Sequence, residues 1–437
     1  MRALILAAGQ GIRQKENGEP KPLVSLLGLK FIERVILTAK KSGIEEFQIV
    51  IGYKGKKIRE YLGDGYKYGV KLNYLFNDEW KRGNGISVLK ARDFIKEPFI
   101  LLMADHLFDD RILSELQEIT LEEDECVLCV DRNHHKYLDI EDATKVIIED
   151  GRIKDIDKRL NHYNGIDTGI FLCTPALFDA LQESIHNGDE DLSGGIKVLA
   201  NRGKMKAFDI SDKYWLDLDD DKALNNARSL LIEKLRKKTD GPISKIFNRP
   251  ISIRISRLLV KTGVTPNQIS LMSFIIAIFA ALSFYLGDYI YLVIGGILVH
   301  LSSIIDGCDG EVARLKLEET RYGGWFDSVL DRYADGIIIF GLMHGHWTLN
   351  NDIMIWTVGF IAMIGSFLNS YTADKYDTIY KKKIIDVNGI RIGRDLRLFL
   401  IFVGALSGQI LPTLVVLAII TNFESIRRLA VLKDEYA

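Results

Sequence analysis

The residues best suited to chemistry lie between Asp306 and Asp331, in the run Asp306-Gly-Cys-Asp309-Gly310-Glu-Val-Ala313-Arg314, followed by Gly323, Asp327 and Asp331. Four aspartates fall within these 26 residues, and both flanks are strongly apolar. Asp306 and Asp309 are three apart and Asp327 and Asp331 four apart, so each pair shares one face of a helix. If the two segments are the facing ends of neighbouring helices, the four carboxylates converge and would raise one another's pKa. Divalent cations relieve that repulsion, and oxygen ligands suit Mg2+, Mn2+ or Ca2+. Such ions neutralise and orient a transferring phosphoryl group. The bland alternative is a solvated acidic loop. Carboxylates at the ends of membrane helices are costly, which weighs against it.

A second set opens the chain. Ala3 to Ala8 reads as a buried strand, followed by Gly9-Gln-Gly11-Ile-Arg13 and then Pro20-Lys21-Pro22-Leu23. A glycine loop directly after a first strand lets backbone N–H groups approach a phosphate, and a basic side chain completes the cradle. Further on, the strand Phe99 to Met103 runs into Asp105. A carboxylate at the carboxyl end of a central strand sits where an α/β sheet places its ligand. The alternative for Asp105 is a helix N-cap.

The later motif, D-x2-D-G-x2-A-R-x8-G-x3-D-x3-D, resembles the signature of the CDP-alcohol phosphotransferase family at every fixed position, as does Thr265-Pro266-Asn267 upstream of it. That resemblance implies a membrane enzyme in which an acceptor hydroxyl attacks the β-phosphorus of a CDP-alcohol and CMP leaves. It makes Asp306, Asp309, Asp327 and Asp331 metal ligands, with Asp331 also the general base. Gly310 and Gly323 then lie where a nucleotide comes close, and Arg314 suits its diphosphate. Asp335, one turn further on, is outside the signature and is read as supporting the ligands.

The combination L-A-A-G-x-G-x-R with a later P-K-P-L resembles the sugar-phosphate nucleotidyltransferase family, although no Leu follows Arg13 and the loop to Lys21 is short. The resemblance implies nucleotide binding by Leu6, Ala8, Gly9, Gly11, Arg13 and Lys21, with Lys21 at the reacting phosphates. Gly83-Asn84-Gly85 opens a helix, and its small residues would admit a base or ribose. Asp105 and the Asp of Tyr214-Trp215-Leu-Asp217 are the implied metal ligands. Lys158 and the strand Asn164-Gly165-Ile-Asp167-Thr-Gly169 are the implied acceptor contacts, through Lys158 and Asp167.

The elements that position these groups split the chain. The strands at 47–53, 126–130, 144–149 and 151–156 and the helix at 31–42 read as an α/β domain over residues 1–228, which the resemblance makes a Rossmann-like nucleotidyltransferase domain with a mixed sheet. Residues 229–265 read as a linker, with a charged helix at 229–240 and a basic amphipathic helix at 246–261. That second helix carries Ile251, Ile255, Leu258 and Leu259 beside Arg254, Arg257 and Lys261. It reads as lying in a membrane interface, the alternative being a surface helix of the first domain. Residues 266–437 read as an all-α membrane domain whose apolar runs at 268–286, 289–305, 331–346, 353–373, 396–410 and 411–425 give six spans. Lys and Arg are missing from the turns at 287–288, 346–352 and 407–412 and concentrate in the other loops. The positive-inside rule therefore places the acidic motif on the cytoplasmic side of a multi-pass cell-membrane protein, together with the first domain. Arg391, Arg394 and Arg397 either bind an acceptor phosphate or anchor the loop.

Bulk properties exclude little. The 57 Lys and Arg nearly balance the 59 Asp and Glu, so nucleic acid is not indicated. Cys126 and Cys129 form C-x-x-C inside an apolar run, which reads as a buried strand rather than a metal site. The N-terminal apolar run is too short for a signal peptide. The order of the two halves resembles fused cytidylyltransferase–CDP-alcohol phosphotransferase enzymes. It implies CTP and inositol 1-phosphate as substrates, CDP-inositol as intermediate, a second inositol 1-phosphate as acceptor, and Mg2+ or Mn2+ as cofactor. A homodimer through the membrane half is expected. The rival readings are transfer of another alcohol phosphate to a lipid acceptor, and a transporter or scaffold that only binds nucleotide.

Overall fold

The computed structural model describes residues 1–11, 19–133, 140–141, 143–237, 240–379 and 392–436. The chain divides into two compact units, Met1–Leu231 and Ile232–Ala437.

In the first unit the strands are β1 (Arg2–Ala7), β2 (Ser25–Leu26), β3 (Leu29–Lys30), β4 (Glu46–Ile51), β5 (Lys71–Phe76), β6 (Phe99–Met103), β7 (His106–Phe108), β8 (Cys126–Asp131), β9 (Lys145–Glu149), β10 (Arg152–Asp157), β11 (Gly165–Cys173), β12 (Met205–Asp209) and β13 (Trp215–Asp217). The helices are α1 (Phe31–Lys41), α2 (Gly55–Leu62), α3 (Asn84–Leu89), α4 (Asp110–Leu116), α5 (Ala176–His186), α6 (Leu192–Asn201) and α7 (Asp221–Glu233). Nine strands make one mixed sheet in the order β5-β4-β1-β6-β11-β8-β12-β10-β9. Its first four strands are mutually parallel, and β11 runs antiparallel to β6. Side chains alternate across it: Ala3, Ile5 and Ala7 enter one core, Leu4 and Ala8 the other. A strand buried on both faces reads as a continuous apolar run, which is why β1, β6 and β8 were legible.

The Cys126/Cys129 pair sits on β8 with its two thiols in opposite cores, because three positions along a strand reverse the face. They cannot ligate one ion together. The charged helix expected at 229–240 is instead α7, which starts at Asp221 and ends at Glu233. Its buried Leu224 and Ala227 pack with Leu216 and Leu218, so packing sets the extent of the helix, and Lys234, Arg236 and Lys237 follow it.

The second unit holds α8 (Arg249–Leu259), α9 (Pro266–Leu286), α10 (Tyr289–Lys316), α11 (Arg321–Asn350), α12 (Met354–Ile379), α13 (Arg394–Leu406) and α14 (Ile410–Tyr436). Thr265 caps α9 through a reciprocal capping box with Gln268, which accounts for the T-P-N start. Among the described residues four helices (α9, α10, α12 and α14) are long and apolar enough to cross a membrane, where six spans were expected. The other two differ for readable reasons: α13 has 13 residues, and α11 is rich in Asp and Arg. The outer surface is apolar, with Phe279, Leu282, Ile290, Phe360, Ile419 and Phe423 exposed. Such a surface belongs in hydrocarbon rather than water. Helix α8 packs along α10, so it is not a surface helix of the first unit. It turns Ser252, Ile253 and Ser256 inward and leaves Ile251 and Leu258 exposed beside Arg254, Arg257 and Lys261.

Candidate active sites

In the first unit the carboxyl ends of β1 and β6 bring the site together. Lys21 opens a short 3-10 turn and is only 6% exposed. Its ammonium contacts Asp105 and Asp219 and lies 3.7 Å from Asp217. Burial alone would lower its pKa, but the three carboxylates outweigh that and hold it above the ordinary lysine value. Gly11, with a positive φ, backs directly onto the Lys21 side chain. Asp105 lies in the turn between β6 and β7 and caps no helix; Asp109 caps α4 instead. Asp217 faces His106 across the β13–β7 pair. The His106 ring sits 3.6 Å from Asp217 and is anchored by Nδ1 on the Thr168 carbonyl at 2.9 Å. Gly169 lies so close to that ring that a side chain there would displace it.

Asp105, His106 and Asp217 present ligand atoms within 4.8 Å of one another. The Asp217 oxygen that faces His106 at 3.6 Å and Lys21 at 3.7 Å is buried and makes no hydrogen bond among the described residues, so its lone pairs remain for a cation. Burial would raise Asp217, but His106 and Lys21 hold it well below the usual carboxylate range, so it stays ionised. Asp219 was not singled out from the sequence. The signal was there, since positions two apart in extended chain share a face with Asp217. His106 gave no signal of its own.

These groups line a cleft of about 520 Å3 together with Lys158, Asp167, Asn84, Lys222 and Asn226. Asp167 is pushed up to about 6 by burial, partly offset by the Gly169 N–H it accepts at 2.8 Å. Leu6 and Ala8 form the end of β1 and the residue after it, where their carbonyls are taken by Ala104 and Tyr53 N–H groups, and Gly9 is exposed beyond them. Arg13 lies outside the described residues. Gly83 and Gly85 pack against a neighbouring chain segment. A side chain at either would collide with the Glu190 backbone, to which Gly85 N–H donates at 3.0 Å. Asn84, between them, is the residue that reaches the cleft.

In the second unit the motif is helical, not a loop. Asp306 and Asp309 are on the last turns of α10, Asp327 and Asp331 on the first turns of α11. Asp306, Asp327 and Asp331 offer ligand oxygens within 4.8 Å of one another. Asp309 accepts from Ser270 Oγ and contacts Asp327, while Ser273 donates to Asp306 at 3.0 Å. One Asp327 oxygen is buried without a partner among the described residues, again as fits a cation ligand. Arg314 lies one turn beyond Gly310, close to where a side chain on that glycine would be, and Gly323 lies against Thr320 and Asn267.

The arginines divide. Arg394 reaches the acidic centre, 3.0 Å from Asp306 and 2.6 Å from Asp331. Arg397 does not. It is buried, pairs with Asp335 at 2.7 Å, and donates to the Ser366 carbonyl and Ser370 Oγ. Its charge is thus taken up by an internal ion pair, as a guanidinium buried on the inner face of α13 requires. Arg391 lies outside the described residues.

A mixed-sheet unit with a lysine among carboxylates, followed by a helical unit with an acidic centre between two helices, has the groups of a two-domain phosphoryl-group transferase. Residues 2–234 match the nucleotidyl transferase family, and residues 263–423 match the CDP-alcohol phosphatidyltransferase family. The bifunctional IPC transferase and DIPP synthase of Rubrobacter xylanophilus is 36% identical, covering 99% of this chain and 96% of the relative. Proteins of the same name from Aquifex aeolicus and Thermococcus kodakarensis are 34% and 32% identical over 97% of this chain. A solved inositol-1-phosphate CTP transferase from T. maritima is 26% identical, covering 55% of this chain and 97% of its own, with a TM-score of 0.48. The chain belongs to the family of bifunctional IPC transferases and DIPP synthases. It is a multifunctional membrane transferase.

Proposed function

We propose that this enzyme converts CTP and inositol 1-phosphate to CDP-inositol and pyrophosphate. It then transfers phosphoinositol from CDP-inositol to a second inositol 1-phosphate, releasing CMP and giving phosphorylated di-inositol phosphate. The observation that carries this reading is the presence in one chain of Lys21 with Asp105 and Asp217, and of Asp306 with Asp327 and Asp331. Substrate identity rests on the names borne by relatives similar over the full length.

In the first reaction Asp105 and Asp217 would hold Mg2+, which supplies charge neutralisation at the nucleotide phosphates. Lys21 offsets the charge that builds as an oxygen of the inositol phosphate attacks the α-phosphorus and pyrophosphate leaves. The attacking phosphate is already ionised, so positioning matters more than a base. Lys158 and Asp167, which line the same cleft, would contact the acceptor. In the second reaction Asp306, Asp309, Asp327 and Asp331 would hold the cations. Asp331 takes the proton of the acceptor hydroxyl as its oxygen bonds to the β-phosphorus of CDP-inositol, and CMP carries away the electron pair. Arg394 and Arg314 contact phosphate groups of acceptor and nucleotide.

All six helices α9–α14 cross the membrane in this reading. Both sites face the cytoplasm, as the placement of Lys and Arg supports. The membrane halves of two copies associate through their apolar outer faces. The test uses purified protein in detergent with CTP, inositol 1-phosphate and Mg2+, following pyrophosphate, CMP and the phosphorus NMR of the products. Pyrophosphate, CMP and a new phosphodiester are expected; pyrophosphate without CMP would move the acceptor to a lipid alcohol.

A further inference from the structure

We propose that Asn248 is a specificity-determining residue for the acceptor of the second reaction, held in place by the buried Glu311. This rests on the reading of that acceptor as a phosphorylated polyol. Ser244–Asn248 forms a π-type turn that runs directly into α8. Such widened turns recur at functional sites, because they re-aim a side chain within a helix. A small cavity of about 150 Å3 lies beside this turn, lined by Asn248, Arg249, Ser303, Asp306, Gly307 and Arg394 among others. Asp306 and Arg394 belong to the acidic centre, so the cavity adjoins the reacting groups.

Asn248 is 5% exposed. Its Nδ2 donates to Ser303 Oγ at 3.0 Å, and its Oδ1 is buried with no partner among the described residues. A buried amide oxygen is costly to leave unpaired, so the site calls for a hydrogen-bond donor. Arg249 does not offer its charge to a ligand. Nε and Nη2 are taken by Asp240 at 2.9 and 2.7 Å, and Nη1 by Glu311 at 2.6 Å. With that guanidinium neutralised, this wall recognises a hydroxyl rather than a phosphate. A sugar-like ring hydroxyl meets the need; a lipid chain does not.

Glu311 fixes the geometry. It is fully buried on α10, two residues beyond Asp309. Besides Arg249 it accepts from Ser252 Oγ at 2.6 Å and Ser256 Oγ at 2.7 Å. Three donors spread over two turns of α8 lock that helix in rotation and height against α10, and Asn248 immediately precedes them. Glu311 is thus a positioning residue acting through α8.

The test measures CMP release by the full chain in detergent, with CDP-inositol and inositol 1-phosphate. For Asn248→Ala the KM for inositol 1-phosphate rises about tenfold while kcat, the KM for CDP-inositol and pyrophosphate release from CTP each stay within about twofold. Glu311→Gln, which keeps the shape and an acceptor oxygen, moves the same KM in the same direction by less. A panel of singly deoxygenated inositol 1-phosphates supplies a second measurement. One analogue costs the wild type what Asn248→Ala costs and brings no further loss in the variant. An unchanged acceptor KM in Asn248→Ala, a fall confined to kcat, or full additivity with every analogue would overturn the inference and leave the function standing. A wild-type chain that releases no CMP with inositol 1-phosphate would overturn both.

Discussion

Arg394 Nη1 lies 2.6 Å from an oxygen of Asp331, the residue assigned the general-base role, and 3.0 Å from Asp306 on the neighbouring helix. One guanidinium therefore ties α13 to both helices of the acidic centre. Replacing it with Ala leaves the carboxylates less compensated and removes a contact for the acceptor phosphate. Arg394→Ala should cut CMP release from CDP-inositol by about 100-fold or more, and leave pyrophosphate release from CTP at the wild-type rate. Equal loss of both reactions would argue against the assignment.

Asp331→Asn keeps the shape of the side chain but cannot accept the proton. A loss of about 10^2–10^4-fold in CMP release is expected, the usual worth of a positioned acid–base group. Steady-state assays with supplied CDP-inositol check it, and full activity would remove Asp331 from the mechanism.

The first site gives the mirror prediction. Lys21→Met removes the cation shared by Asp105, Asp217 and Asp219. Asp105→Ala removes a ligand. Each should abolish detectable pyrophosphate release while CMP release persists when CDP-inositol is supplied. A scaffold that merely binds nucleotide would turn over neither substrate in any variant.

Arg397 separates a structural from a substrate role. Breaking its pair with Asp335 by Arg397→Met should destabilise the protein by about 1–3 kcal/mol, because a buried carboxylate loses one of its two arginine partners and keeps Arg394 at 3.1 Å. Adding Asp335→Leu should recover most of that loss, read as the midpoint of thermal unfolding in detergent. An acceptor-binding arginine would instead show a raised acceptor KM and an unchanged midpoint.

Asp167 makes a pH prediction. Its pKa is raised from the ordinary carboxylate value to about 6 by burial. A raised folded-state pKa means the folded protein holds a proton that the unfolded chain releases between about pH 4 and 6. The contribution to stability is therefore fully present below about pH 4 and lost as the pH rises through 6. Asp167→Asn should equal the wild type in stability at pH 4 and exceed it by about 1–3 kcal/mol at pH 8. Denaturant unfolding followed by near-UV circular dichroism at the two pH values measures this, and a gap that narrows with rising pH would refute it.

Much of this protein is written along the chain. Apolar runs buried on both faces mark β1, β6 and β8, and helical spacing puts Asp306 with Asp309 and Asp327 with Asp331. Local periodicity determines such features, since the residues concerned lie within one or two turns of each other. Tertiary structure alone decided the rest. It brought Asp219 to Lys21 across 198 positions, turned Arg397 onto Asp335 across 62, and seated Glu311 under Arg249 and the serines of α8. It also gave Gly83 and Gly85 a chain segment to accommodate, and ended α7 at Glu233. No spacing encodes these outcomes, because a buried charge is satisfied by whatever partner the packing of distant elements delivers, and that packing is fixed only once the whole chain has folded.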